Sequence, residues 1–363
     1  MSKRVFNFSA GPAVLPVSVL EAAQRDLLNL PGAGASILEI SHRSGAFKKI
    51  QADAKARIIS LLSIPDTHDV LFLQGGSRLQ FSMVPMNLMR GTDQTADYIL
   101  TGSWGKKGWE EAVKEGQVNV AWDGKPTNYD RLPTTEQLSL SRNSAYVHIT
   151  SNETIQGVQF LSEPEIGDVP LVADCSSDFM CRPLPIEKYG LIYACAQKNA
   201  GPAGVTVVII RKGLMKQADD SLPGYMVYRN HAEEDSMYNT PPTFAIYVMG
   251  LVAKWLQEEV GGLESMEAHN RKKAALLYDV IDQPEGFYKG HAQTADRSLM
   301  NVTFTLPSED AEKRFLEQAA SQDLDSLGGH RSVGGIRASI YNAMPLEGVE
   351  KLRDFMLQFR KSS

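Results

Sequence analysis

The sequence predicts an α/β protein: a mostly parallel seven-stranded sheet with helices on both faces, then a smaller C-terminal α+β unit. Short apolar runs of strand length alternate with helical segments before residue 211. A long helical pattern, FAIYVMGLVAKWLQEE, then leads to Gly261-Gly262, where we place the change of domain. We therefore predict an N-terminal segment at 1–16, a large domain at 17–260 and a small domain at 261–363.

The individual elements follow from the spacing of apolar residues and from turn residues. Ser18 is the predicted N-cap of a helix over 18–30, with Glu21 completing a capping box and Pro31 ending it. The seven strands are predicted at 70–73, 98–100, 117–121, 146–149, 171–173, 191–194 and 205–210. The other helices of the large domain are predicted at 46–62, 79–89 and 242–258. The small domain is predicted to contain helices at 265–281, 309–321 and 346–361 and strands at 300–305 and 335–340.

Composition excludes several classes of protein. The net charge of -6 argues against a broadly basic nucleic-acid surface, and no apolar run approaches the roughly 18 residues of a membrane span. The start, MSKRVFNFSAGPAVLP, lacks the apolar core of a secretory signal. Cys175, Cys181 and Cys195 form an odd set without metal-ligand spacing. We expect a cytoplasmic protein with no metal site.

Lys198 and Asp174 follow two successive predicted strands. Ligands of parallel sheets bind beyond the carboxyl ends of the strands, so one cleft can receive both side chains. A lysine in a partly desolvated pocket loses its proton more easily and can form an imine with an aldehyde. A carboxylate can keep a pyridine nitrogen protonated. The pair predicts pyridoxal 5'-phosphate (PLP), although Lys198 alone is typical of a surface residue and Asp174 alone of a turn or an N-cap.

Two further segments suit the same cofactor. The Gly75-Gly76-Ser77-Arg78 turn lies between a strand and a helix, where backbone N–H groups and the helix dipole can bind a phosphate. It matches neither established nucleotide-binding glycine motif, so a plain tight turn is the other interpretation. Trp104 follows another strand and can stack on a flat heteroaromatic ring or pack in the core.

Basic residues occur in three separate segments. His42-Arg43 and His330-Arg331 form two pairs, and Arg337 lies in GGIRAS. Arginine binds carboxylates and phosphates through a two-pronged geometry, which suits an amino acid that bears a phosphate. Each residue alone is equally an ordinary surface charge, and periodicity does not show that the segments meet.

The chain resembles the phosphoserine aminotransferase family, a group of fold-type-I PLP enzymes among the class V aminotransferases. The resemblance covers essentially the whole length. It is carried by the stretches FNFSAGPAVLP, EISHRSGAF, LQGGSR, SNETIQGV, ADCSSDF, YACAQKNAGPAG, MYNTPPTFAIY, GHRSVGGIRASIYNAM and PLEGVEKL.

The resemblance implies a set of cofactor contacts. Lys198 is expected to form the Schiff base, Asp174 to pair with the pyridine nitrogen and Trp104 to stack on the ring. Thr154 is expected near the ring hydroxyl. The residues expected to hold the cofactor phosphate are Ser77, Arg78 and Gln197, with Asn239 and Thr240 from the partner subunit. A homodimer with shared active sites follows from that expectation.

The resemblance also implies substrate contacts. Arg337 is expected to bind the α-carboxylate. The pocket for the substrate phosphate, or for the side-chain carboxylate of glutamate, is expected to contain His42, Arg43, His330 and Arg331. Ser77 replaces a glycine that is frequent in the family, and Ala10 stands where some members have serine. No side-chain contact is expected from Ala10.

The implied reaction is a reversible ping-pong transamination in serine biosynthesis. Glutamate and 3-phosphohydroxypyruvate give 2-oxoglutarate and O-phospho-L-serine, with Lys198 as the general base and acid. The family also aminates 3-hydroxy-2-oxo-4-phosphonooxybutanoate toward pyridoxine. One alternative is a class V aminotransferase for an unphosphorylated amino acid, against which the His-Arg pairs argue. Another is a non-catalytic phosphate- or nucleotide-binding protein, against which Lys198 and Asp174 argue.

Overall fold

The computed structural model describes residues 4–331 and 333–362. Residues 1–3 and 363, at the outer bounds of the predicted N-terminal segment and small domain, lie outside the described residues. The strands are β1 (Phe6–Asn7), β2 (His68–Leu73), β3 (Thr95–Leu100), β4 (Gln117–Asp123), β5 (Ser144–Thr150), β6 (Asn152–Glu153), β7 (Val158–Gln159), β8 (Leu171–Asp174), β9 (Tyr189–Cys195), β10 (Thr206–Arg211), β11 (Lys289–Gly290), β12 (Asn301–Thr305), β13 (Leu324–Asp325) and β14 (Ile336–Ser339). The α-helices are α1 (Val17–Asp26), α2 (Gly45–Leu62), α3 (Gly76–Leu88), α4 (Ser103–Ala112), α5 (Tyr228–Glu233), α6 (Thr243–Trp255), α7 (Leu263–Ile281), α8 (Glu309–Ser321) and α9 (Leu346–Ser362).

The central sheet has seven strands in the order β2-β10-β9-β8-β5-β3-β4. Neighbouring strands pair in parallel except at β10, which is antiparallel to both β2 and β9. The predicted α/β class with a mostly parallel seven-stranded sheet is confirmed. Because β8 and β9 are parallel neighbours, their carboxyl ends lie side by side.

Helices cover both faces of this sheet, which explains why its strands are continuous apolar runs. Along β2, Val70 and Phe72 pack in one core and Leu71 and Leu73 in another, since successive side chains point to opposite faces. The first core also contains side chains of α2 and α6, and the second contains side chains of α3 and α4.

The C-terminal part contains a separate antiparallel sheet, in the order β11-β12-β14. Side chains of α7, α8 and α9 pack with it in a third core. The N-terminal segment belongs to the same packing, because β1 pairs with β13 and Phe8 is fully buried in that core. The third core therefore contains side chains from both the N-terminal segment and α9.

The predicted bounds of α1 are wrong at both ends. The helix begins at Val17 with Pro16 at the N-cap, and Ser18 is inside it, where its hydroxyl donates to Glu259 Oε2 at 3.1 Å. The fixed φ of proline suits a helix start without a side-chain cap. The helix ends at Asp26, and Leu28 just beyond it is 89% exposed.

Two helix starts near the strand ends also differ from prediction. α3 begins at Gly76 rather than Leu79, so Ser77 and Arg78 belong to its first turn. α4 was not predicted, and Trp104 is its second residue. Within the described ranges, no helix is long and apolar enough to cross a membrane.

Candidate active site

Asp174 and Lys198 lie at the carboxyl ends of neighbouring strands. Asp174 is the last residue of β8 and pairs in register with Tyr193 of β9, and Lys198 comes shortly after β9 ends at Cys195. Their charges interact: Lys198 opposes protonation of Asp174, and Asp174 favours the charged amine. The structure thus brings together the two residues on which the sequence-based prediction of chemistry depends.

Asp174 is a buried carboxylate, only 4% exposed. Its Oδ1 accepts a hydrogen bond from the backbone N–H of Ser176 at 3.0 Å. Burial raises the pKa of Asp174, although Lys198 and Ser176 both oppose that shift. A positively charged partner brought to this carboxylate would therefore stabilise its ionised form strongly.

The proton on Lys198 behaves differently from the sequence-based expectation. Burial alone lowers the pKa of Lys198, but four acidic groups outweigh it and leave the pKa above its ordinary value. Those groups, largest first, are Tyr341, Cys195, Asp174 and Glu153. In the chain without a cofactor, the buried acids around the amine therefore favour its charged form.

Trp104 lies beside Lys198, at the start of α4. The amine nitrogen of Lys198 is 5.3 Å from the centre of the indole ring, and the nitrogen of Lys107 is 4.2 Å from it. The indole Nε1 donates to Thr154 Oγ1 at 3.0 Å. A hydrogen bond at its edge fixes the orientation of the ring, as stacking on a flat ligand requires.

The start of α3 has the features of an anion site. Gly75 and Gly76 have φ values of +89° and +63°, which favour glycine, and no side chain within the described ranges caps the helix. The first-turn N–H groups therefore point at solvent or ligand. Ser77 Oγ lies 2.5 Å from Ser176 Oγ, which connects this turn to the residue whose N–H binds Asp174.

Of the other predicted phosphate ligands, Asn239 lies near this turn within the same chain. Asn239 Nδ2 donates to Gln74 Oε1 at 3.0 Å, and Gln74 directly precedes the glycine pair. Thr240 is exposed beside it. The carbonyl of Gln197 accepts from the N–H of Ala13 at 2.8 Å, which fixes the backbone before Lys198.

Cations from four parts of the chain converge next to Trp104. Arg337 Nη1 donates to the carbonyl of Thr154 at 3.4 Å. Burial lowers the pKa of His330, and the positive charges of Arg337, Lys107 and Arg331 lower it further. Arg78 and Arg331 similarly add to burial in lowering the pKa of Lys107. We call this set the cation cluster; its members are Arg78, Lys107, His330, Arg331 and Arg337.

His42 and Arg43 do not join the cation cluster within one chain. They lie just before α2, whose N-cap is Ser44, and Arg43 is exposed. Among residues 4–331 and 333–362, neither has a hydrogen bond or ion pair with a member of that cluster. A single chain therefore brings His330, Arg331 and Arg337 together, and the substrate contacts of these residues and of His42 and Arg43 stay predictions.

Comparison with known proteins gives the family. A family model described as aminotransferase class-V matches residues 5–352. A phosphoserine aminotransferase from Rhodopirellula baltica is 59% identical over 358 residues, which is 98% of this chain and 95% of that protein. The chain belongs to the phosphoserine aminotransferase family. The family predicted from the sequence is confirmed.

Solved structures of phosphoserine aminotransferases share the fold. The protein from Bacillus circulans subsp. alkalophilus superimposes with a TM-score of 0.97 at 47% identity, over 99% of each chain. A PLP-bound phosphoserine aminotransferase from Trichomonas vaginalis has a TM-score of 0.93 at 39% identity and covers 98% of this chain and 100% of its own. The predicted fold type is confirmed as well.

Glu153 and Tyr341 lie at the site of this phosphoserine aminotransferase family member but are not among the residues predicted from the sequence. The carboxylate of Glu153 accepts from the backbone N–H groups of Trp104 and Gly105. The hydroxyl of Tyr341 donates to the carbonyl of Ala10 at 2.8 Å and faces the amine of Lys198 electrostatically. Both lie in stretches that carry the family resemblance, SNETIQGV and GHRSVGGIRASIYNAM, which is the signal that could have identified them.

Proposed function

We propose that this phosphoserine aminotransferase family member uses PLP to move an amino group between glutamate and 3-phosphohydroxypyruvate, with O-phospho-L-serine and 2-oxoglutarate as products. The observation that carries the proposal is the cation cluster beside Lys198 and Trp104. A phosphorylated keto acid carries a carboxylate and a phosphate, and several guanidinium and ammonium groups at one place suit both. The names of the similar proteins support the same substrate.

The residues present fit PLP. The uncapped first turn of α3, with Ser77 and Arg78, suits the cofactor phosphate. The buried carboxylate of Asp174 suits a protonated ring nitrogen, and the indole of Trp104 suits the ring face. When bound, PLP supplies an aldehyde for amines and a ring that accepts electrons from the substrate Cα.

The chain's own groups then have distinct tasks. With the cofactor present, Lys198 would hold its aldehyde and would move the proton at the substrate Cα, as general base and acid. Asp174 keeps its negative charge beside the ring nitrogen. Arg337 binds the α-carboxylate through its planar fork, near the Thr154 carbonyl that already accepts from it. His330 and Arg331 bind the phosphate of the substrate or the side-chain carboxylate of glutamate.

We also propose a homodimer with shared active sites. Leu28 and Leu38 are 89% and 59% exposed, in the part of the chain that leads to His42 and Arg43, and exposed apolar side chains indicate an interface. A second copy could bring His42, Arg43, Asn239 and Thr240 to this chain's site. Since Asn239 also lies beside its own Gln74, a complementation test is needed to decide between the two chains.

The complementation test mixes two impaired variants, Lys198→Ala and Asn239→Ala. In a mixed dimer, a contribution across the interface restores one complete site, because the intact Lys198 and Asn239 then come from different subunits. A contribution within one chain leaves every site defective. Recovery of activity and cofactor affinity on mixing supports the proposal, and none on mixing contradicts it.

A second keto acid and a compartment complete the proposal. We propose that 3-hydroxy-2-oxo-4-phosphonooxybutanoate is also aminated, since it carries the same α-keto acid and a phosphate within reach of the cation cluster. Comparing kcat/KM for the two keto acids tests this. We further propose a cytoplasmic location, because Cys175, Cys181 and Cys195 are all free, buried thiols, which suits a reducing compartment.

The direct test of substrate class is a set of half-reactions. The yellow enzyme is mixed in a stopped-flow instrument with phosphoserine, with glutamate and with serine, which lacks only the phosphate. We expect phosphoserine and glutamate to discharge the visible band quickly and serine to do so far more slowly. Equal rates for serine and phosphoserine would instead indicate a class V aminotransferase for an unphosphorylated amino acid.

A further inference from the structure

Glu153 is a carboxylate with no exposed surface, directly next to Thr154 in the chain. Its Oε1 accepts from the N–H of Gly105 at 2.8 Å and its Oε2 from the N–H of Trp104 at 3.0 Å. Both donors belong to the first turn of α4, where helical N–H groups lack partners within the helix. The charge of Glu153 therefore faces the positive end of the α4 dipole.

Packing keeps this carboxylate against the helix start. A Cβ added to Gly102 would lie 2.4 Å from Cδ of Glu153, so only glycine permits the approach seen here. Gln156 holds the same turn from further along the chain: its Nε2 donates to Ser103 Oγ at 2.9 Å. Residues 153–156 thus contact three consecutive residues of α4 through three side chains.

The residue fixed by these contacts is Trp104. Its backbone N–H donates to Glu153 and its indole N–H donates to Thr154. Both the backbone and the ring of Trp104 are therefore attached to one short segment. We propose that Glu153 is a positioning residue that fixes the first turn of α4 and thereby sets the plane of the Trp104 ring against the cofactor. The role toward the cofactor rests on the proposed function; the role toward Trp104 does not.

Electrostatics give this residue a measurable signature. Burial raises the pKa of Glu153 to about 7, with Asp174 adding to the rise and the two N–H donors and Lys198 opposing it. The charged and titratable groups that face it are Asp174 at the end of β8, Lys198 after β9, Lys107 on α4 and Tyr129 after β4. As pH falls through about 7, the carboxylate gains a proton and loses the charge that strengthens both hydrogen bonds.

The test compares Glu153→Gln with Glu110→Gln, an exposed glutamate on α4 itself. In Glu153→Gln the side-chain amide keeps the shape of the carboxylate but turns an N–H₂ group toward one of the two donors. In protein freed of cofactor, tryptophan emission is titrated between about pH 6 and 8, and Trp104→Phe identifies the contribution of Trp104. We expect a transition near neutral pH in the unmodified protein and in Glu110→Gln, and none in Glu153→Gln.

The second readout is the affinity for PLP, measured from visible absorbance. We expect Glu153→Gln to bind PLP roughly tenfold more weakly, as for the loss of one hydrogen bond to a charged group, and Glu110→Gln to bind it normally. Unchanged affinity together with an unchanged titration in Glu153→Gln overturns the proposal. If the unmodified protein binds no PLP, the proposed function fails while the titration still tests the contact with Trp104.

A shorter acid keeps the proposal testable if the amide variant does not fold. Glu153→Asp retains the charge but is one methylene too short to reach both N–H groups. We expect it to lose PLP affinity and to show a smaller pH-dependent change in emission, because the charge no longer reaches both N–H groups. An aspartate variant with full affinity would show that the contact with α4 is not needed, which also overturns the proposal.

Discussion

Replacement of Lys273 by methionine should destabilise the protein strongly, because its buried ammonium holds a loop of backbone carbonyls. Lys273 is on α7 and only 3% exposed. Its ammonium donates to four backbone carbonyls, those of Ile340 at 2.9 Å, Tyr341 at 2.7 Å, Asn342 at 3.3 Å and Met344 at 3.2 Å. These carbonyls belong to the segment that joins β14 to α9.

The size of the effect follows from these contacts. An ammonium has three hydrogens, so at most three strong bonds are lost, each contributing about 1.5–3 kcal/mol to stability because the donor is charged. Methionine fills similar space, which limits the cavity, but it leaves buried carbonyls without a donor. Burial lowers the pKa of Lys273 to about 7, which offsets part of the gain at neutral pH. We expect a loss of about 3–5 kcal/mol, as for one partner removed from a buried charged contact.

Urea unfolding measures this loss, and Lys272→Met provides a matched control. Lys272 is the preceding residue of α7 and is exposed, so its substitution should change stability by no more than about 0.5 kcal/mol. Unfolding should be followed by far-UV circular dichroism and by tryptophan emission, because a protein with several cores can unfold in more than one step. If the two variants differ by less than about 1 kcal/mol, the carbonyl contacts do not stabilise the fold as argued.

The remaining predictions concern the proposed site. Lys198→Ala should lose both the visible band of lysine-bound cofactor and transamination; retention of either contradicts the assignment. Asp174→Asn should lower kcat by roughly 100-fold or more, since a charge aimed at the ring is removed. Because burial raises the pKa of Asp174 above its ordinary 3.8, the native chain binds that proton more tightly than the unfolded chain. That contribution to stability is lost as pH rises through the folded pKa, so the asparagine variant should show a flatter stability–pH curve above pH 3.8. Arg331→Ala should raise KM for phosphoserine about tenfold and KM for glutamate less, with Arg314→Ala on α8 as the exposed control; equal effects on both substrates would indicate a general carboxylate role.

Local patterns were sufficient to predict the sheet and the strand-end residues. The apolar sequences of β8 and β9 are bounded by polar and turn residues. These neighbouring residues predict where each strand ends, and so predict the positions of Asp174 and Lys198. Helix starts were less predictable. α1 begins after a proline without a side-chain cap, and α3 begins at a glycine pair, where sequence signals describe the turn and not the helix.

Residues whose partners are distant in sequence could not be predicted from patterns. Lys273 occupies a helix position where lysine ordinarily faces solvent, and its partners lie more than 60 residues away. Glu153 binds N–H groups 48 and 49 residues earlier, in a helix that the pattern did not indicate. His42 and Arg43 are a separate case, because among residues 4–331 and 333–362 neither has a hydrogen bond or ion pair with the cation cluster.

The segment from Asn152 to Gln156 explains how two separate cores can serve one site. On one side, Glu153 and Thr154 bind Trp104 in the large-sheet part of the chain. On the other, the carbonyl of Thr154 accepts from Arg337, and the carbonyl of Gln156 accepts from Thr303 Oγ1 at 3.0 Å, both on strands of the small sheet. The residue expected to bind the substrate carboxylate and the residue expected to stack on the cofactor therefore contact the same few residues.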